Sequence, residues 1–202
     1  MSSNNIGVQI LGALSRARLG ILTVALTYTL FVIVGIVMVH TGNEFALAQR
    51  DSLIANANAS DPSLIALREG DQLSAALSDF GRNLLAGGSS TVAGPSIIAE
   101  YPIVAYRGWI GGIVSVDDHH TSRLSNPSQA AYYLITLILQ LIPYSLAGGV
   151  GVNLMVAYLR PNPLYPGEKW YGVPKEAFRD VLRVYLLVIP LFLIASLWEF
   201  FA

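Results

Sequence analysis

The 202-residue chain contains no cysteine. That excludes disulfides, thiolate zinc sites, iron–sulfur ligation and a cysteine nucleophile. Histidine is almost as scarce, at three residues, so no transition-metal site built wholly from protein ligands is expected. Charge is the third shortage. Asp, Glu, Lys and Arg make up 12% of the chain, about half the share usual in globular domains. Twelve basic residues against thirteen acidic ones leave a formal charge of −1, with no cationic excess to hold a nucleic-acid backbone. No nucleic-acid partner and no cofactor are expected. What is abundant is apolar: 53% of residues are hydrophobic and the mean hydropathy is +0.54. Such a composition implies a membrane protein, with lipid as its first partner.

The run LGILTVALTYTLFVIVGIVMV, residues 19–39, carries no charge. At 1.5 Å per residue it crosses a hydrocarbon layer of about 30 Å. A secretory signal peptide is the competing reading, because Arg16 and Arg18 precede the run and Ala46-Leu47-Ala48 resembles a cleavage box. The run is longer than a signal core, which favours a first transmembrane helix over 19–40. Ahead of it Ile6, Ile10, Leu14 and Ala17 recur at helical spacing. Residues 1–18 are therefore either an amphipathic cytoplasmic or interfacial segment or an extension of the first span.

Residues 41–80 hold more acidic than basic side chains yet keep an apolar periodicity, so two amphipathic extracytoplasmic helices are expected there. Asp61-Pro62 is a good helix start, and Leu64, Leu67, Leu73, Ala76, Leu77 and Phe80 are expected to share one stripe. Residues 81–202 then form a helical membrane domain with a cytoplasmic connector near 160–180. Within it, a second span over 82–101 and a short helix over 103–116 are expected, although a broken helix lining a polar pocket fits the glycines as well. The stretch 129–158 is long for one span. Pro143, followed by Gly148, Gly149 and Gly151, points to a kink or a hairpin near Ile142 to Ser145. Arg160 to Gly167, rich in proline, reads as a hydrated connector, and a last span runs from about Val181 to Phe201. Basic residues at Arg16, Arg18 and the 160–183 segment place the amino terminus and the connector in the cytoplasm. About five membrane helices, some short or broken, satisfy this topology, so the expected fold class is an all-α polytopic transmembrane bundle.

Few residues suggest chemistry. Glu100 and Arg107 lie two helical turns apart and are the candidate intramembrane polar site, pairing across a pocket or meeting a partner subunit. The plainer reading puts both at the interface, snorkelling to headgroups beside Pro102. Glu199 reads as an edge residue. Gly87, Gly88, Gly111, Gly112, Gly148, Gly149 and Gly151 are candidate helix-packing positions. Asp117-Asp118-His119-His120 resembles metal ligands in type, but neighbours in sequence rarely converge on one ion, and a solvated loop ended by Asn126-Pro127-Ser128 is expected instead. Ser89, Ser90 and Thr91 lack a nucleophile-elbow pattern, and Gly87-Gly88 lacks the rest of a phosphate loop. No catalytic, cofactor or metal residue is therefore assigned.

The closing segment RVYLLVIPLFLIASLWEFFA, together with Pro143, Gly148-Gly149-Val150-Gly151, Phe80-Gly81-Arg82-Asn83 and Tyr106-Arg107-Gly108, resembles the stage II sporulation protein M family over roughly residues 20–202. That family usually carries Pro-His-Gly followed by Glu in its middle hairpin, where this chain has Pro143-Tyr144-Ser145 and Gly148. The resemblance implies a polytopic protein without established enzymatic chemistry. Its namesake role is anchoring cell-wall remodelling enzymes during spore engulfment. The expected function is a non-enzymatic membrane subunit or scaffold in a bacterial or archaeal plasma membrane, binding other membrane subunits or itself. The alternative is a transporter or channel component with a midplane site framed by broken helices.

Overall fold

The computed structural model describes residues 5–160, 165 and 167–202. Most of the Arg160 to Gly167 connector lies outside these residues. The first helix, α1 (Ile6–His40), is uninterrupted, and the Asn5 side chain caps it by accepting from the Gly7 amide. The extension reading of the amino-terminal segment is thus the observed one, and the boundary expected at 18/19 falls inside a helix. Its buried positions are Ala13, Ala17, Gly20, Val24, Tyr28, Val32, Gly35 and Val39. Leu19, Leu22, Leu26, Leu30 and Ile33 are exposed. Small residues inward and large aliphatics outward is the arrangement lipid favours, because contact with lipid tails carries no hydrophobic penalty and close packing drives association.

Two short helices follow, α2 (Glu44–Ser60) and α3 (Pro62–Arg68). Asp61 starts α3 as its sequence suggests, accepting from the Ser63 amide with Pro62 in the first turn. The next helix, α4 (Gln72–Ala93), begins before residue 81, so the expected single stripe over 64–80 is split between two helices. Ala76 is buried, whereas Leu67, Leu73 and Leu77 are exposed. The turn at Gly94 to Ser96 separates α4 from α5 (Ile97–Ile113), which corrects the expected span over 82–101. Pro95 has no amide to continue the ladder of α4, while Pro102 is accommodated inside α5.

The second correction concerns 129–158. It is not a hairpin: α6 (Pro127–Leu159) runs through Pro143 as one helix of 33 residues. Proline costs one backbone hydrogen bond, which burial of Pro143 among neighbouring helices outweighs, and the following glycines serve contact rather than turning. Asn126 caps α6, accepting from the Ser128 and Gln129 amides. After the connector, strands β1 (Lys169–Trp170) and β2 (Val173–Pro174) pair antiparallel across Tyr171 and Gly172, both with positive φ, the geometry of a tight hairpin turn. The last helix, α7 (Lys175–Phe201), contains Pro190.

The contacts fix how these helices run. Gly20 meets Asn153 while Val24 meets Gly148, so α6 is antiparallel to α1; Tyr28 meets Gly108 while Gly35 meets Gly112, so α5 is parallel to it. Tyr132 bonds the Glu199 carbonyl at one end and Ala177 packs with Leu154 and Ala157 at the other, so α7 is antiparallel to α6. Between Asn83 and Leu159 the chain therefore passes three times along the bundle, in α4, α5 and α6. Among the described residues three helices, α1, α6 and α7, are long and apolar enough to cross a membrane. Helices α4 and α5 form a hairpin wedged among them, its Gly94 turn packed against Gly151.

Candidate functional site

The polar groups of this apolar chain converge inside the bundle. Glu100 is wholly buried, which corrects the interfacial reading. It lies in the first turn of α5, where the free amides of a helix start favour an anion. Its Oε1 accepts a hydrogen bond from the Ser90 hydroxyl and occupies the space beside Gly148 that a Cβ would fill. Its Oε2 has no hydrogen-bond partner. The sequence paired Glu100 with Arg107, but no ion pair joins them. Arg107 instead stacks on Tyr144, 4.5 Å from the ring centroid, and donates one long hydrogen bond of 3.4 Å to the Ala86 carbonyl.

A cavity of about 380 Å³ opens beside Arg107. It occupies the half of the bundle nearest α2 and α3, with Tyr28, Arg107 and Tyr144 at its inner end and Asp79, Gln140 and Glu199 at its outer end. Asp79 is buried; its Oδ2 accepts from Ser196 at 2.7 Å and from Asn83 at 2.8 Å. Asn83 in turn accepts from the Tyr144 hydroxyl at 2.7 Å. These bonds lock α4 to α6 and α7 at the cavity wall. Deeper, the Thr91 hydroxyl donates to the Ala147 carbonyl at 2.8 Å and lies 2.7 Å from the Tyr185 hydroxyl.

A second polar cluster closes the opposite end. Asp180, almost entirely buried, accepts from Arg16 at 2.6 and 2.5 Å, from Arg183 at 2.9 Å and from the Tyr165 hydroxyl at 3.1 Å. Asn153 donates to that hydroxyl at 2.8 Å. Sequence reading passed over Asp180 because it stands among basic residues at the start of a span, where a carboxylate looks like a surface group.

At the α2 and α3 end, side chains from separate segments interlock. Arg50, buried on α2, pairs with Asp118 at 2.6 Å and with Asp51 at 3.0 Å. His120 reaches the same Asp51 at 3.0 Å, and Arg82 pairs with Asp61. The Asp117-Asp118-His119-His120 run is thus a clasp holding a loop onto α2, with Asp117 capping its own turn through the His119 and Thr121 amides. Hydrogen bonds from Arg50 and His120 hold the Asp51 carboxyl below its ordinary range. Backbone amides do the same for Asp117.

The seven candidate packing glycines separate into three kinds. A Cβ at Gly112 would lie against the Val32 carbonyl and 2.8 Å from the Gly35 Cα, one at Gly149 2.5 Å from the Ile21 nitrogen, and one at Gly151 2.5 Å from the Thr91 carbonyl. These are contacts of backbone on backbone. Gly87, Gly111 and Gly148 face side chains, those of Phe192, Leu137 and Glu100. Gly88 faces nothing within 4 Å. Gly20, Gly35, Gly94 and Gly108 also sit at backbone contacts. For Gly20, Gly35 and Gly108 the signal in the sequence was a three- or four-residue step from an alanine or valine, as in Ala13, Ala17 and Gly20.

No family model matches this chain, and no curated protein or solved structure does either.

Proposed function

We propose that the chain is a non-enzymatic integral membrane subunit, a five-pass bundle that presents the α2, α3 and 114–126 platform to partner proteins outside the membrane. The observation that carries this reading is a platform clasped to a bundle that is shut at its other end. Arg50, Asp51, Asp118 and His120 fix α2 to the loop after α5. In the opposite half, backbone contacts at Gly20 with Gly149 and at Gly94 with Gly151 bring the helices too close to leave a lumen. A rigid mount with an ordered outer face suits holding partners better than conducting solute. The resemblance to the stage II sporulation protein M family supports the same class, a membrane anchor for other enzymes.

The proposed orientation follows from basic residues. Arg16 bonds Asp180, so the basic starts of α1 and α7 share one end of the bundle, and that end faces the cytoplasm of a bacterial or archaeal cell. The chain has no native cysteine, so single introduced ones report topology cleanly. In intact cells, Asn58→Cys and Ser125→Cys are expected to react with a membrane-impermeant maleimide and Lys169→Cys only after lysis; the reverse pattern refutes the orientation. Purification from native membranes in mild detergent is expected to give a complex larger than the chain alone, with partners lost when exposed platform residues such as Asn56 and Glu69 are replaced. A lone chain, also uncrosslinked in the membrane, refutes the scaffold.

A further inference from the structure

The cavity lined by α1, α4, α5, α6 and α7 holds Arg107 at one end and Glu199 at the other, and neither of these makes an ion pair among the described residues, while Asp79 beside Glu199 pairs with Arg82 at 3.5 Å. Arg107, at the inner end, makes no salt bridge among the described residues and spends one donor on a long bond to Ala86. A guanidinium has five N–H donors, and the contacts of Arg107 with Ala86 and Tyr144 do not use all of them. At the outer end the Gln140 Oε1 is buried without a partner, with Glu199 beside it in the cavity wall. Glu199 makes no ion pair among the described residues. The other carboxylate there, Asp79, is already engaged by Ser196 and Asn83. Along α4, Asp79 lies two turns from Ala86, so the two ends are about 10 Å apart by helical rise.

A cation without an ion pair facing an acceptor pair across an open cavity is complementary to a ligand carrying both charges. We propose that this cavity binds a small zwitterion, with a carboxylate or phosphate on Arg107 and an ammonium donating to Gln140 Oε1 and Glu199. Bidentate recognition of an oxyanion suits guanidinium, and a ligand ammonium supplies the donor that Gln140 lacks. The separation calls for charges a few bonds apart. Two sources offer that chemistry, a dissolved amino acid with a distal amine and the phosphoethanolamine headgroup of a lipid.

The test uses the full chain in nanodiscs of phosphatidylglycerol, which carries no ammonium. Glycerophosphoethanolamine or 4-aminobutyrate is expected to raise the unfolding midpoint by a few degrees, as a ligand of the folded state must. Glycerol 3-phosphate and ethanolamine, each with one of the two charges, are expected to do so weakly or not at all. Arg107→Gln and Glu199→Gln each weaken the response about tenfold or more, the loss expected for one charge-assisted contact. Nanodiscs of phosphatidylethanolamine distinguish the sources. A midpoint already raised there, lowered in Arg107→Gln and insensitive to the soluble probes, identifies a headgroup; a response to soluble probes in both discs identifies a dissolved ligand. Should Arg107→Gln not fold, Glu199→Gln at the outer end carries the test alone. The proposal is overturned if neither soluble probe nor lipid exchange moves the midpoint, if the single-charge probes act as strongly, or if the variants respond as the parent does.

Discussion

Adding one methyl group at Gly112 and at Gly88 separates packing glycines from idle ones. At Gly112 the new carbon would lie against the Val32 carbonyl, 2.8 Å from the Gly35 Cα and 2.9 Å from the Ile36 nitrogen. All three are backbone atoms of α1, so no side chain can turn aside, and the two helices must part by about 1 Å to restore van der Waals distance. Parting them also breaks the reciprocal contacts at Gly35 and Gly108. Overpacking ordinarily costs about 1–3 kcal/mol, and a contact with no flexible partner belongs near the upper end. Gly88 on α4 faces open space, and there Ala replaces Gly with a helix-propensity gain of up to about 1 kcal/mol. The same chemical change is therefore expected to give stabilities some 3–4 kcal/mol apart, combining those two ranges. Unfolding the purified chain with increasing sodium dodecyl sulfate in mixed micelles, followed by helical circular dichroism, reads the difference. Equal midpoints for Gly112→Ala and Gly88→Ala would refute the claim that α1 and α5 are held at backbone contact.

Three further outcomes follow from the polar clusters. Ser90→Ala removes the one side-chain hydrogen bond to the Glu100 carboxyl among the described residues and is expected to cost about 1–3 kcal/mol in the same assay, whereas Ser90→Thr, which keeps the hydroxyl, recovers most of it; identical midpoints for the two contradict the assignment. Asp180→Ala leaves Arg16 and Arg183 without their shared anion; since these side chains retain 22% and 18% exposure, the loss is set at about 2–3 kcal/mol, below that of a fully buried pair, and an unchanged midpoint rejects it. The depressed Asp51 pKa means the clasp contributes stability above the unfolded value near pH 4 and loses it as pH falls through the folded one. Protection factors of the α2 amides, with the intrinsic pH dependence of exchange divided out, are therefore expected to fall below about pH 4 and to be low already at neutral pH in Asp51→Asn; equal protection in both proteins at neutral pH contradicts the clasp.

The elements whose stability is local were legible in the sequence. Residues 19–39 announce a helix by length alone, and Asp61-Pro62 and Asn126-Pro127 announce helix starts by side-chain capping. What failed depended on neighbours. Pro143 reads as a break because an isolated helix pays for the missing amide, but within the bundle it is buried and α6 continues. The break instead falls at Gly94-Pro95, where Gly151 comes too close for a side chain, and no local pattern distinguishes that glycine from Gly88. Glu100 was misplaced for a related reason. Its burial depends on Ser90 and Gly148, ten residues before it and forty-eight after it, being brought to one point by a hairpin that the span over 82–101 did not contain.

The interior and exterior of this chain obey different rules, and together they explain why the polar residues collect where they do. Outward, α1 shows Leu19, Leu22, Leu26 and Leu30, which neither gain nor lose by meeting lipid. Association must then come from contacts lipid cannot make: backbone on backbone at glycine, and hydrogen bonds between polar groups. One glycine also leaves room for a polar side chain, Gly148 for Glu100, and Gly151 lets the backbone of Thr91 approach, whose hydroxyl bonds the Ala147 carbonyl. Where glycines continue on both helices the bundle closes, at Gly20 with Gly149. Where tyrosines replace them on α6, at Tyr133 and Tyr144, the cavity forms. The position of that cavity is thus a consequence of where the small residues stop, and Arg107, stacked on the innermost of those rings, is the charge it leaves facing the open volume.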